Sequence, residues 1–247
     1  MNNPYQKFYT RWYKNKSVID NHKIEIMKLR KKLNEIAYSP TNKILDIACG
    51  ISVFGKTFGD QVYGIDLNPQ AVKFANKNGI KATLGNIEKK WKFPAKYFDI
   101  VICSHIIEHL INPDHLLEES KRVLKDGGLL IIATPNLAAW FNRLLLLIGV
   151  QPFFTEVSTK DKTLGLTFTR SFTKSRKTLG HLRVFTLAAL KDILNLHRFT
   201  ILSETGHYFP AFPLFLRGLD TMFSFFPSLA SNIIVVGQKN PSEVKDM

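Results

Sequence analysis

Cysteine is scarce: Cys49 and Cys103 are the two thiols among 247 residues. Two thiols cannot build a disulfide framework, and their spacing makes no zinc site. Both follow the ends of apolar runs, so each is expected as a small buried hydrophobe rather than a reactive group. No metal site is expected from the sequence. Long apolar runs are missing too. Leu137 to Val150 is apolar almost all round but contains Asn142 and Arg143, and it falls short of the ~20 residues a spanning helix needs. Tyr208 to Ala230 is rich in Phe and Leu, yet Pro210, Pro213 and Pro227 argue against one continuous helix. The first residues, Met1-Asn2-Asn3-Pro4-Tyr5, carry no apolar secretion core. A reducing cytoplasm is the compartment expected.

Acids are under-represented, with 20 Asp and Glu against 34 Lys and Arg and a net charge of +14. The excess is uneven. Residues 1–40 hold nine Lys/Arg against three acids, and residues 159–183 hold seven against Asp161 alone. Residues 41–158 and 184–247 are close to neutral. Basic patches of this kind attract phosphate, whether of nucleic acid or of an anionic membrane. A solvated basic face accounts for them equally well.

The first segment mixes Tyr5, Phe8, Tyr9, Trp12 and Tyr13 with Lys7, Arg11, Lys14 and Lys16. Spacings of three and four from Ile19 to Ile36 predict an amphipathic helix over Asp20 to Ala37, capped by Asp20 and stopped by Pro40. Beyond it strands and helices alternate. Strands are predicted at Ile44 to Ile47, Gln61 to Asp66, Ile80 to Leu84, Tyr97 to Cys103 and Leu129 to Ala133. Helices are predicted from Val53, over Pro69 to Asn78, and over Pro113 to Lys125. Pro69 suits a first helical turn, Gly79 a helix end, and Asp126-Gly127-Gly128 a turn. Thr186 is expected to cap a helix to His197, followed by strands at Phe199 to Ser203 and Asn232 to Gln238. Such alternation implies a doubly wound α/β fold with a mostly parallel sheet. The expected organisation is an arm and helix over 1–40, then one domain over 41–247 with an insertion at 136–183 and an apolar segment at 208–230.

The stretch Ile44 to Phe58 carries the chemistry. An apolar strand ends in Asp46-Ile47-Ala48-Cys49-Gly50, and Gly50 can take a positive φ and let backbone approach a ligand. Asp66 closes the second strand twenty residues later, where doubly wound folds hold a ribose. Dinucleotide folds usually show G-x-G-x-x-G with no acid in the first strand, because pyrophosphate sits on bare N–H groups. Here Ser52 stands where a middle glycine would be, Gly50 and Gly55 are five apart, and Asp46 precedes the turn. An acid there repels pyrophosphate and suits a cationic ligand such as a sulfonium amino acid. On these residues the sequence resembles the class I S-adenosylmethionine-dependent methyltransferases of the methyltransferase 11 or 23 type. The resemblance covers Asn42 to Asn136 well and the rest loosely, and Ser52 departs from the family's glycine.

The resemblance implies a Rossmann-like sheet of seven strands with the last antiparallel, S-adenosylmethionine as cofactor, and an N-terminal helix beside an insertion after strand five. Asp46 and Gly50 would hold the methionine part of the cofactor, and Asp66 the ribose hydroxyls. Asn86 would accept from the adenine amino group, while Leu67 and Ile87 would sandwich the ring. Ligands of open α/β sheets lie outside the carboxyl ends of the strands, which adds Ser104 to the cofactor set and makes His105 the first candidate for a general base. Glu108 and His109 match an acid–histidine pair of the family, and structural hydrogen bonding is the other reading of that pair. His181 and His207 lie in variable segments that should line the acceptor site. The expected acceptor is a small or lipid-linked molecule methylated at oxygen, with an anionic membrane surface as a further partner. Peripheral attachment rests on Leu137 to Phe154, the basic loop and Tyr208 to Ala230. No Asn/Asp-Pro-Pro-aromatic signature follows strand four, where Cys103-Ser104-His105-Ile106 stands, so nucleic acid is disfavoured as substrate. A non-catalytic cofactor-binding or membrane-docking protein is the alternative, and oligomeric state is not legible.

Overall fold

The structure, a computed structural model, describes residues 39–50, 61–171, 176–210 and 212–241. The expected arm, the helix over Asp20 to Ala37, the helix from Val53 and the positions Ser52 and Gly55 lie outside the described residues. Seven strands form one sheet of order β3-β2-β1-β4-β5-β7-β6. They are β1 (Ile44–Ile47), β2 (Val62–Asp66), β3 (Lys81–Leu84), β4 (Phe98–Ser104), β5 (Leu124–Pro135), β6 (Phe199–His207) and β7 (Asn232–Lys239). Six run parallel and the last antiparallel, as expected. Five α-helices are described: α1 (Pro69–Lys77), α2 (Pro113–Val123), α3 (Trp140–Leu147), α4 (Leu187–Leu196) and α5 (Leu214–Phe223). The chain divides into two compact units, one of Met1–Cys103, Glu118–Leu130 and Lys239–Met247, the other of Ser104–Leu117 and Ile131–Gln238.

In the first unit β1 is buried at all four positions. It pairs in parallel with β2 on one side and β4 on the other, so that Asp46 stands level with Gly64 and Ile102. A strand covered on both faces has to be apolar throughout, and Ile-Leu-Asp-Ile breaks that rule once, at Asp46. The start of α1 is as the sequence predicts. Asn68 Oδ1 accepts from Gln70 N at 2.9 Å, Pro69 occupies the first turn, and Gly79 closes the helix at φ +85°. Asn76 then bonds both backbone groups of Ala82 and fixes β3 to the end of α1. The predicted helix to Lys125 stops two residues early, and Asp126-Gly127-Gly128 lies inside β5 rather than in a separate turn. Gly127 at φ +76° supplies the change of direction. The Lys125–Asp99 and Lys96–Asp126 ion pairs, each 2.6 Å, tie this stretch down.

In the second unit Thr186 caps α4 through Ala189 N, as expected, but β6 extends four residues past the predicted Ser203. The stretch Leu137 to Val150 proves to be an eight-residue helix, α3, with Asn142 buried in it. Asn142 Oδ1 accepts from Phe153 N at 2.7 Å, so this polar interruption anchors the loop that follows. Trp140 stacks on Phe223 of α5 at 5.2 Å and donates Nε1–H to Asp220 at 2.8 Å. That pairing leaves Leu147, Ile148, Leu214, Phe215 and Phe225 exposed. Among the described residues no helix is long and apolar enough to cross a membrane.

Gly64 marks the tightest place beside the first strand: a Cβ there would lie 2.7 Å from Cys49 Sγ. Gly64→Ala is therefore expected to cost about 1–3 kcal/mol by overpacking. Urea unfolding reads this directly, and an unchanged midpoint would refute the packing argument.

Candidate cofactor turn and histidine cluster

The first unit builds a turn between two carboxylates. Asp46 and Asp66 are 3% and 5% exposed, at the ends of β1 and β2. Asp66 Oδ2 accepts from Gly50 N at 2.8 Å, and Oδ1 accepts from Asn68 N at 2.7 Å. The carboxylate is thereby aimed by backbone and keeps acceptor capacity for a ligand hydroxyl. Burial pushes the Asp66 carboxyl up from its usual range, against the pull of the N–H groups of Asn68, Gly50 and Leu67. Gly50 lies at φ +55°, as expected of it, and Ala48 at φ +54°. An alanine held there costs about 1–2 kcal/mol. Nothing in the sequence marks Ala48 as such a position, because its side chain is ordinary and the demand comes from the turn.

Burial, then the charges of Asp46 and Asp66, push the Cys49 thiol far up. The turn is thus a region of negative potential, which fits a ligand bearing a sulfonium, an amine and vicinal hydroxyls and disfavours a pyrophosphate. Leu67 is 41% exposed and Ile87 is buried, with Asn86 exposed between β3 and the loop that follows. Asn86 Oδ1 accepts from Glu88 N at 2.9 Å, so one of its lone pairs shapes its own turn. Trp91 Nε1–H donates to Ile87 O at 2.9 Å and holds that loop.

The second unit gathers the histidines. Ser104 ends β4 half-buried, and His105 follows at φ +50°, with its N–H donated to Ala133 O. His105 Nδ1 stands 3.3 Å from Glu108 Oε1, and Thr134 Oγ1 donates to Glu108 Oε2 at 3.0 Å. Glu108 is completely buried in the short 3-10 turn Ile107–His109. Burial raises its carboxyl, but the hydrogen bond from His105 and the nearby His105, His109 and His181 outweigh it and hold the group below its usual range. His109 is shifted down, by burial first. His181 lies with its ring centroid 4.9 Å from that of His109. His207 is buried elsewhere in the unit, with Nδ1 on the carbonyl of Tyr208. The sequence named all four histidines and Glu108 but missed Thr134 and also Glu156, whose carboxylate accepts from Leu179 N, Gly180 N and His181 N; the partners of both are distant along the chain.

Residues 45–132 match the family model described as a methyltransferase domain. An uncharacterised protein of Methanocaldococcus jannaschii is 31% identical over 128 residues, covering 52% of this chain and 58% of that protein. A ubiquinone biosynthesis O-methyltransferase of Pelagibacter ubique is 34% identical over 101 residues, 38% of this chain and 42% of that one. The chain thus spans about half the length of the curated relatives it matches. Among solved structures, a Methanosarcina mazei S-adenosylmethionine-dependent methyltransferase aligns with TM-score 0.56 at 19% identity, over 82% of this chain and 94% of that one. One from Archaeoglobus fulgidus gives 0.54 at 17%, over 91% and 100%. The fold is that of the class I S-adenosylmethionine-dependent methyltransferases. Over residues 45–132 the sequence is similar to that methyltransferase domain family.

Cys49 is 5% exposed and Cys103 fully buried, and burial pushes both thiols far up. Neither is expected to react with an aromatic disulfide reagent at about pH 8 in the folded protein, and both are expected to react once urea unfolds it. One fast thiol in the native protein would contradict this.

Proposed function

We propose that the protein transfers a methyl group from S-adenosylmethionine to the oxygen of a small-molecule acceptor. The observation that carries this reading is the Asp66 carboxylate, buried at the end of β2 with both oxygens aimed by the N–H groups of Gly50 and Asn68. Asp66 would hold the ribose hydroxyls, Asp46 and Gly50 the methionine part, and Leu67, Asn86 and Ile87 the adenine, with Ser104 a further cofactor-binding residue. When bound, the cofactor supplies an electrophilic methyl on a good leaving group, so alignment and desolvation provide much of the acceleration. The relatives named for ubiquinone biosynthesis are O-methyltransferases, which favours oxygen as the acceptor atom. A hydroxyl acceptor has to lose its proton. His105 is the base: Glu108 can only accept, so His105 Nδ1 carries the hydrogen and Nε2 the lone pair. The domain organisation consistent with this is one methyltransferase domain over 41–247, preceded by the basic arm.

Asp66→Ala is expected to weaken S-adenosylmethionine binding by about 1.5–3 kcal/mol in calorimetry, the loss for hydrogen bonds to a charged group. His105→Ala is expected to lower turnover by about 10²–10⁴-fold while leaving cofactor affinity alone. Tight NADH binding without affinity for the methyl donor would overturn the reading. An unchanged rate in His105→Ala would leave positioning as the whole mechanism.

The finer proposal is a lipid-linked or otherwise apolar acceptor, met at an anionic membrane face from the cytoplasmic side. Exposed Leu147 and Ile148 after α3, with Leu214, Phe215 and Phe225 in and after α5, support it, as does the basic loop over 159–183. Each Lys or Arg near such a surface contributes about 1 kcal/mol. Sedimentation is expected with anionic vesicles at low salt and to weaken at high salt. Failure with every vesicle would remove the membrane, and equal binding to neutral vesicles would remove the electrostatic part.

A further inference from the structure

The pair Glu108-His109 and the distant His181 meet in the second unit. One donor atom from each of the three lies within 4.8 Å of the others. The backbone around them is stitched for this meeting. His109 Nδ1 is 3.0 Å from the carbonyl of Gly180, 71 positions away, and His181 Nδ1 is 2.8 Å from the carbonyl of Phe154. A carbonyl can only accept, so in each neutral ring Nδ1 carries the hydrogen and Nε2 the lone pair. A histidine whose second nitrogen donates to a backbone carbonyl is the arrangement that orients metal ligands.

Three further contacts fix the frame. Leu182 N and Arg183 N both donate to Glu108 O, at 2.8 and 3.1 Å, and Arg183 Nη1–H donates to Leu110 O at 2.6 Å. The carboxylate of Glu156 collects the N–H groups of Leu179, Gly180 and His181. Gly180 sits at φ +83°, where a side chain would be strained, and the carbonyl it presents is the one on His109. Thr134 orients the carboxylate of Glu108 from the other side. Two imidazole nitrogens and one carboxylate oxygen are the donor set of zinc sites that keep a position open for an oxygen ligand.

We propose that Glu108, His109 and His181 bind a divalent transition-metal ion, zinc above all. Donors on zinc stand about 2.0–2.2 Å from the ion and so roughly 3.4 Å from one another. Binding closes the cluster by roughly 1.4 Å at its widest, a side-chain rotation on a fixed backbone. Three protein donors leave a position on zinc open to an oxygen ligand. The site stands whether or not methyl transfer is the activity, because its test is binding.

The full chain, stripped with a chelator, is titrated with zinc against a chromogenic competitor, and with cobalt(II) as a spectroscopic probe. One zinc per chain is expected. His181→Ala is expected to lose at least ~10-fold in affinity, with unchanged circular dichroism. His181→Cys is expected to restore binding and to add a sulfur-to-cobalt charge-transfer band absent from the wild type. Substoichiometric zinc in the wild type, equal affinity in His181→Ala, or a His181→Cys cobalt spectrum without the new band would each overturn the proposal.

Discussion

The bond from Gly50 N to Asp66 Oδ2 organises the first unit. It joins the turn after β1 to the end of β2, and the same carboxylate reaches Asn68, the residue that caps α1. Turn, strand end and helix start are thus held by one buried charge. Desolvating that charge costs stability unless N–H groups surround it, and this is why the turn takes left-handed backbone at Ala48 and Gly50. The strain is local, and the site it shapes is negative. A cationic cofactor fits such a turn, and a pyrophosphate does not.

Glu108 plays a comparable part in the second unit. Its side chain is completely buried, yet His105 and Thr134 bond it, and its carbonyl accepts two N–H groups from the segment after the basic loop. Unpaired burial of a carboxylate is among the costliest things a fold can do. Here the carboxylate is surrounded by imidazoles, so the same residue that organises the backbone also concentrates ligating chemistry. Structural and chemical readings of the Glu108-His109 pair, opposed on sequence grounds, describe one arrangement.

The relatives divide along the chain in a way the physics explains. The family match ends at residue 132, near the boundary after Leu130 where the second unit resumes. The matched part carries the turn between Asp46 and Asp66. The rest carries α3, α5 and the segment with His181, with exposed Leu147, Ile148, Leu214 and Phe215 among its side chains.

Period and punctuation were legible in the sequence because they are local. The four-residue apolar run ending at Ile47, Pro69 with Gly79, and Thr186 before α4 each act within a few residues, so strands, helices and caps follow from neighbours alone. The placement of Asp46 and Asp66 near the ends of neighbouring strands was legible too, since parallel strands bring their carboxyl ends to one edge of the sheet. Tertiary structure decided the rest. Ala48 adopts a glycine-like backbone because the turn requires it, and Gly127 bends within β5 directly after Lys125 and Asp126, which ion pairs hold to Asp99 and Lys96. Asn142, apparently a polar flaw in an apolar stretch, is buried because a loop eleven residues away needs its carbonyl oxygen. His181 reaches Glu108 and His109 only through hydrogen bonds spanning some seventy positions. No spacing rule encodes such a meeting, because its cause is the path of the whole intervening chain.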